Sequence, residues 1–197
     1  VVETKGEVRK MRTVKNLILA GGAFLAIAAS AAVAAPVAPV DGGLSQQQIM
    51  KKVQKELVTL PYYGVFDNLA YKVEGGTVTL YGQVVRPATS KDAEHRVARI
   101  EGVERVVNQI EVLPLSSFDD SIRIRTYRTL FRAGGLYRYA LGANPSIHIV
   151  VNRGHVTLEG VVSSEGDKNL AYVVARGVPG VFSVTNNLRQ EHENRAY

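Results

Sequence analysis

Arg125, Arg128 and Arg132 recur at three- and four-residue spacing in a stretch with no acidic residue after Asp120. On a helix, at about 100° per residue, they form one basic stripe beside a sector of Ile124, Tyr127, Leu130 and Phe131. Such a stripe suits anionic head groups, with Arg138 as a fourth cation and Tyr137 and Tyr139 as aromatics that sit at the interface. The same pattern also describes an ordinary solvated face next to a core face. At about 1 kcal/mol per cation near an anionic surface, four arginines supply ~4 kcal/mol, or millimolar affinity. Charge alone therefore gives transient attachment, and retention needs aromatic insertion, a second attached copy or oligomerisation.

Two other groupings invite a chemical reading. His148, His155 and Glu159 lie on neighbouring strands if the turn between them is Arg153-Gly154, which sets His148 opposite Glu159 and Asn152 opposite His155. The two imidazoles are separated along the strands and have no third imidazole or cysteine beside them. This favours a charge pair on an exposed sheet face over a metal site. Asp119-Asp120 suits an acid pair, but its place ahead of a helical stretch fits capping better. The sequence has no Gly-x-Ser-x-Gly and no phosphate-binding loop, and its zero cysteines exclude thiol catalysis.

The elements that position these residues come from a duplication. Gly154-His155-Val156-Thr157-Leu158-Glu159-Gly160 repeats Gly76-Thr77-Val78-Thr79-Leu80-Tyr81-Gly82 at an offset of 78 residues. Without a gap, the same offset carries Val73 onto Val151, Val84 onto Val162, Ala93 onto Ala171, Gly102-Val103 onto Gly180-Val181, Val106 onto Val184, Asn108 onto Asn186 and Ile110 onto Leu188. Two copies of one small domain follow. In the first, Ser45 reads as an N-cap, and Ile49, Val53, Leu57 and Leu60 recur at helical spacing up to Pro61. A hairpin turns at Gly75-Gly76 and pairs Val73 with Val78 and Tyr71 with Leu80, so that turn and alternation fix the same register. A second helix over 90–101 ends at Gly102, which reads as a left-handed cap. A third strand over 103–112, reached by a helical crossover, is expected parallel to the second.

The second copy repeats this order. Its helix runs to about Arg132, its hairpin carries Ile147, Ile149 and Val151 against Val156 and Leu158, and a helix over 165–176 precedes a strand over 181–188. The fold class is α+β: two tandem αββαβ domains, each a three-stranded mixed sheet with two helices on one face. The boundaries are 45–113 for the first domain, 114–118 for a linker too short to let the halves tumble freely, and 119–190 for the second, with a tail over 191–197. Domains of this size are near the lower limit of independent folding, so packing between them is expected. The first domain's charges nearly cancel and its first helix is Lys-rich at Lys51, Lys52 and Lys55, marking it as the packing partner or a protein-binding half.

Ahead of the repeats, residues 11–15 are basic and residues 17–34 apolar and Ala-rich, ending in Ala32-Val33-Ala34. This is the pattern of a cleaved signal peptide over 1–34, with residues 1–10 lying upstream of a start at Met11. A Pro- and Gly-containing lead-in follows over 35–44. Five of the 24 Lys and Arg and two of the 18 Asp and Glu fall in residues 1–34, leaving 19 against 16. So small an excess on an exported chain argues against a nucleic-acid partner. Without cysteine, each domain is held by its core and has no disulfides.

The Gly-x-Val-Thr-Leu-x-Gly hairpin, the Ala-containing helix after it and the closing Gly-Val-x-x-Val with Asn beyond, present twice, resemble the BON domain of bacterial osmotically inducible and nodulation proteins. The resemblance covers nearly all of residues 45–190 and is similar to tandem BON proteins of the periplasm. It implies a periplasmic protein, phospholipid attachment, a part in envelope integrity under osmotic or related stress, no enzymatic activity and no cofactor. Capture of envelope proteins by a chaperone-like adaptor is the alternative, using uncovered sheet faces or edge strands. No catalytic residue carries over. Gly76, Gly82, Gly102, Gly154, Gly160 and Gly180 are architectural.

Overall fold

A computed structural model describes residues 44–142 and 144–191. The expected signal peptide over 1–34, the lead-in up to residue 43 and the tail from residue 192 lie outside the described residues.

The first repeat consists of α1 (Gln46–Val58), β1 (Asn68–Glu74), β2 (Thr77–Val84), α2 (Pro87–Val97), β3 (Arg105–Asn108) and β4 (Glu111–Val112). Ser45 caps α1 in a capping box with Gln48, each side chain bonding the other's backbone amide. Ile49, Val53 and Leu57 form the buried stripe of this helix. β1 and β2 pair antiparallel with Val73 opposite Val78 and Tyr71 opposite Leu80, as the alternation requires. β3 and β4 both run parallel to β2, the central strand.

The second helix and the third strand differ from expectation; in the second repeat the first helix begins at Ser117, ahead of the expected Asp119-Asp120 start, and the last strand at Ser183, two residues after its expected start. Helix α2 begins at Pro87, because proline at a first helical position lacks only an amide that had no intrahelical acceptor. It ends at Val97, and Gly102, at φ +86°, serves the turn into β3 and does not cap the helix. The third strand breaks in two where the Asn108 side chain accepts from the Ile110 amide at 3.1 Å and donates to the Ser90 carbonyl at 3.3 Å.

The second repeat consists of α3 (Ser117–Leu130), a 3-10 turn (Leu136–Ala140), β5 (Ile147–Asn152), β6 (His155–Val162), α4 (Glu165–Arg176) and β7 (Ser183–Gln190). Its sheet repeats the mixed topology with β6 in the middle, and pairs His148 with Glu159 and Asn152 with His155. Asn186 repeats the lock of Asn108, donating to the Lys168 carbonyl and accepting from the Leu188 amide. Gly82 and Gly160 also correspond: at φ +111° and +120°, a Cβ on either would stand 2.0 Å from the carbonyl oxygen of Asn68 or Ser146 across the hairpin. Of the glycines expected in the turns, Gly154 is left-handed, but in the first hairpin that role falls to Gly75 and not Gly76.

Each repeat has its own apolar core between sheet and helices. The second core also receives Val65 and Phe66 from the segment after α1 of the first repeat. The Val65 carbonyl accepts from the Ile149 amide at 2.7 Å, so this segment covers the outer edge of β5. The repeats therefore meet mainly through residues 61–67, with Asn144 also donating to the Val58 carbonyl at 3.0 Å and Asn152 to the Glu111 carboxylate at 3.4 Å.

Candidate functional site

Ser116 caps α3, its hydroxyl accepting from the Asp119 amide at 3.2 Å. The expectation that Asp119 or Asp120 caps the helix is corrected. Asp119 is buried and turns to the hairpin of its own repeat, accepting from the Arg153 amide at 2.9 Å and the Gly154 amide at 2.8 Å. That turn holds Arg153 at φ +51°, a left-handed conformation rare outside glycine, and the two bonds to Asp119 hold it there. The inward side of α3 is Asp119, Ile122, Arg123, Thr126 and Leu130.

This corrects the expected core sector. Leu130 and Phe131 are buried, but Ile124 and Tyr127 are 43% and 37% exposed. Three inward positions are polar or charged, so apolar periodicity placed Leu130 and Phe131 correctly but put Ile124 and Tyr127 on the inner face wrongly. The outward side carries Arg125, Arg128 and Arg132, all exposed and, among the described residues, none in an ion pair. Ile124 and Tyr127 flank this stripe on one side. Phe118 stands two turns before Arg125, and its exposed ring lies 5.8 Å from that of exposed Phe182. The sequence reading missed Phe118 and Phe182, since each is an isolated aromatic until the fold brings them together.

The other expected members of the basic surface separate. Tyr137 is exposed. Tyr139 is a core residue and not an interfacial one: its hydroxyl donates to Asp167 at 2.8 Å and accepts from the Ser163 amide at 2.8 Å. Arg138 stacks on the Tyr139 ring and pairs with Asp167 at 2.6 Å, so it is engaged within the fold and adds no open charge. The Ser164 hydroxyl, then Tyr139 and Arg138, hold the Asp167 carboxyl below its ordinary pKa. The basic surface thus reduces to three arginines, flanked by apolar side chains.

His148 is not on an exposed face. The first repeat covers it, with the Tyr63 ring centroid 5.4 Å away, the Tyr63 hydroxyl 3.4 Å from Nε2 and the Gly64 carbonyl 3.3 Å from Nδ1. Burial lowers its pKa, opposed in part by Gly64, Asp67 and Glu159. His155 bonds the Ser183 hydroxyl at 2.7 Å, and Glu159 accepts from Asn187 at 2.7 Å. Among the described residues no group of three His, Cys, Asp or Glu stands together as a metal site would require.

Arg123, also missed, is 3% exposed. Its guanidinium pairs with Asp120 and donates to the Val151 carbonyl at 2.7 Å, leaving Nε without an acceptor among the described residues. In the first repeat the equivalent carbonyl, that of Val73, accepts instead from Gln46. An arginine thus stands in the second repeat where an amide suffices in the first, and it lines a cleft of about 380 Å³ between the repeats.

No match was found among curated proteins. Two solved structures of CdsD, a structural protein of the Type III secretion system of Chlamydia trachomatis, align with this chain. One, its C-terminal domain, is 10% identical with a TM-score of 0.30, covering 74% of this chain and 98% of that one. The other is 9% identical with a TM-score of 0.29, covering 75% and 95%. Likenesses this slight bear on neither fold nor function. The family model of the BON domain matches residues 45–114 and again 138–191, the second match beginning beyond α3. Those two regions make up more than half of the sequence and fall on the two halves of the duplication, and the chain belongs to the BON-domain family.

Proposed function

We propose that this protein is a non-enzymatic binding protein of the periplasm that attaches weakly to anionic phospholipid through the outer face of α3 and supports envelope integrity under osmotic or related stress. The observation that carries the reading is the company of the arginines. Arg125, Arg128 and Arg132 are open to solvent and, among the described residues, without acidic partners, and Phe118, Ile124 and Tyr127 are exposed at their margins. Three cations contribute about 3 kcal/mol at an anionic surface, and partial burial of two apolar side chains adds roughly 2 kcal/mol, giving a few tenths of a millimolar. This is attachment that a cell can reverse.

Export rests on the signal-like pattern of residues 1–34. Among the described residues, no helix is long and apolar enough to cross a membrane. The test is co-sedimentation with phosphatidylglycerol vesicles at low salt. Binding should be lost in the triple variant Arg125→Glu, Arg128→Glu, Arg132→Glu and in phosphatidylcholine vesicles; unaltered sedimentation of the variant removes this surface. A chaperone-like adaptor is the second reading, favoured by β7, which pairs along one side only with β6 among the described residues. Salt-insensitive capture of an unfolded outer-membrane protein, with no vesicle binding, would decide for it.

A further inference from the structure

The cleft between the repeats offers a different chemistry. Its walls are Tyr62, Tyr63 and Phe66 of the first repeat and Ile124 of α3, with Arg86 at the edge and Arg123 in the lining. We propose that it binds a small carboxylate carrying an apolar body, the acid group directed to the guanidiniums of Arg86 and Arg123 and the body held among the aromatic rings.

Charge complementarity selects this class. Arg86 lies over the Tyr62 ring, 4.9 Å from its centroid, and among the described residues it meets no carboxylate. Arg123 is almost wholly buried, yet among the described residues its Nε–H has no acceptor. A buried donor left unpaired is costly, and a carboxylate oxygen is its strongest complement. The cleft's own carboxylates do not fill the place. Asp67 uses both oxygens on backbone amides, of Val85 at 2.8 Å and Gly64 at 3.0 Å, and Asp120 is bound to the other end of Arg123. A bare ion such as phosphate or acetate would leave the aromatic and aliphatic walls of the cleft without an apolar partner. A volume of about 380 Å³ is at the small end of ligand pockets, which excludes large amphiphiles from full entry. The chemistry could come from a free short-chain acid or from the C-terminus of a peptide ending in an apolar residue.

Calorimetric titration of the protein with 3-phenylpropionate, against the neutral 3-phenylpropanol, tests the pair of features together. The acid should bind about tenfold or more tighter than the alcohol, since charge-assisted bonds distinguish them. Arg86→Gln, an exposed position that leaves the cores untouched, should bring the acid to within about twofold of the alcohol. Ile124→Trp, which narrows the cleft from a partly exposed position, should weaken both probes by about tenfold. The tripeptide Gly-Gly-Phe as free acid, compared with its amide, assigns the source: preference for the peptide acid over 3-phenylpropionate points to a chain terminus, the reverse order to a free acid. Equal binding of acid and alcohol, retention of the preference in Arg86→Gln, undiminished binding of both probes in Ile124→Trp, or no heat with either acid at about 10 mM, beyond the millimolar range of weak binding, overturns the proposal.

Discussion

Both carboxylate oxygens of Asp119 are taken by the amides of Arg153 and Gly154, so its negative charge shapes a turn and is withheld from any ligand. Asp119→Ala should destabilise the protein by about 2–4 kcal/mol, the cost of two charge-assisted bonds and the amides left bare, as a urea midpoint would record. The sequence could place this aspartate before a helix but had no means of showing which turn it faced. Gly82 and Gly160 were legible for the opposite reason, because only glycine supports a left-handed backbone at so close an approach. His148 gives the residue scale a pH dependence. Its folded pKa is depressed, mainly by burial, so the unfolded chain binds the proton more readily. The stability it contributes is complete above the ordinary value of about 6.5 and is lost as pH falls from there through the folded value. Asp67 faces it from the first repeat with a pKa raised mainly by burial, and that contribution runs with the opposite sign. The melting temperature should therefore fall between about pH 7 and pH 5 in the wild type and fall less in His148→Asn. Equal slopes would show that the imidazole does not sense its burial.

Among the elements, the register of the hairpins and the parallel direction of the crossover strands were readable, and the inner face of α3 was not. Turn length and period-two alternation over-determine a hairpin's register, whereas a helix read by apolar period alone has one clue to its phase. In α3 that clue fails because Asp119, Arg123 and Thr126 point inward, and Ile124 and Tyr127 are left on the outer flank. The Thr126 hydroxyl, buried without a partner among the described residues, is part of the same polar interior. The match to the family in the second repeat also begins only after this helix. The outer face makes a prediction separable from charge: Phe118→Ser, at an exposed position, should weaken vesicle binding about threefold to tenfold while leaving its salt slope unchanged, since the apolar contribution is not screened. Arg128→Gln should flatten the salt slope instead. A Phe118→Ser variant that binds vesicles like the wild type would assign retention to charge alone.

For the whole molecule, the connection between repeats is the least sequence-visible feature, because it joins a loop of one half to a strand edge of the other and repeats nothing. Residues 61–67 follow α1, yet Val65 and Phe66 complete the core around β5, and Phe66 meets Tyr127 at 6.1 Å between ring centroids. Tyr63, against His148, belongs to the same contact, and burial pushes its hydroxyl up to about 12. Neither half is then an independent bead. The segment also forms one wall of the cleft and faces α3, so a loosened joint would disturb both surfaces assigned to binding. Phe66→Ala tests the coupling, and its effect should appear in the half that does not contain the mutation. Removing a partly buried ring costs about 1–3 kcal/mol, less than a full core truncation. Hydrogen exchange at the Ile149 amide, which donates to Val65, should quicken about tenfold or more, because its protection depends on that loop remaining docked. Amides of β2, whose ladder to β1 and β3 lies wholly within the first repeat, should keep their rates. Uniform acceleration in both sheets would mean that the two repeats unfold as one unit, and unchanged exchange at Ile149 would mean that the strand edge holds without the loop.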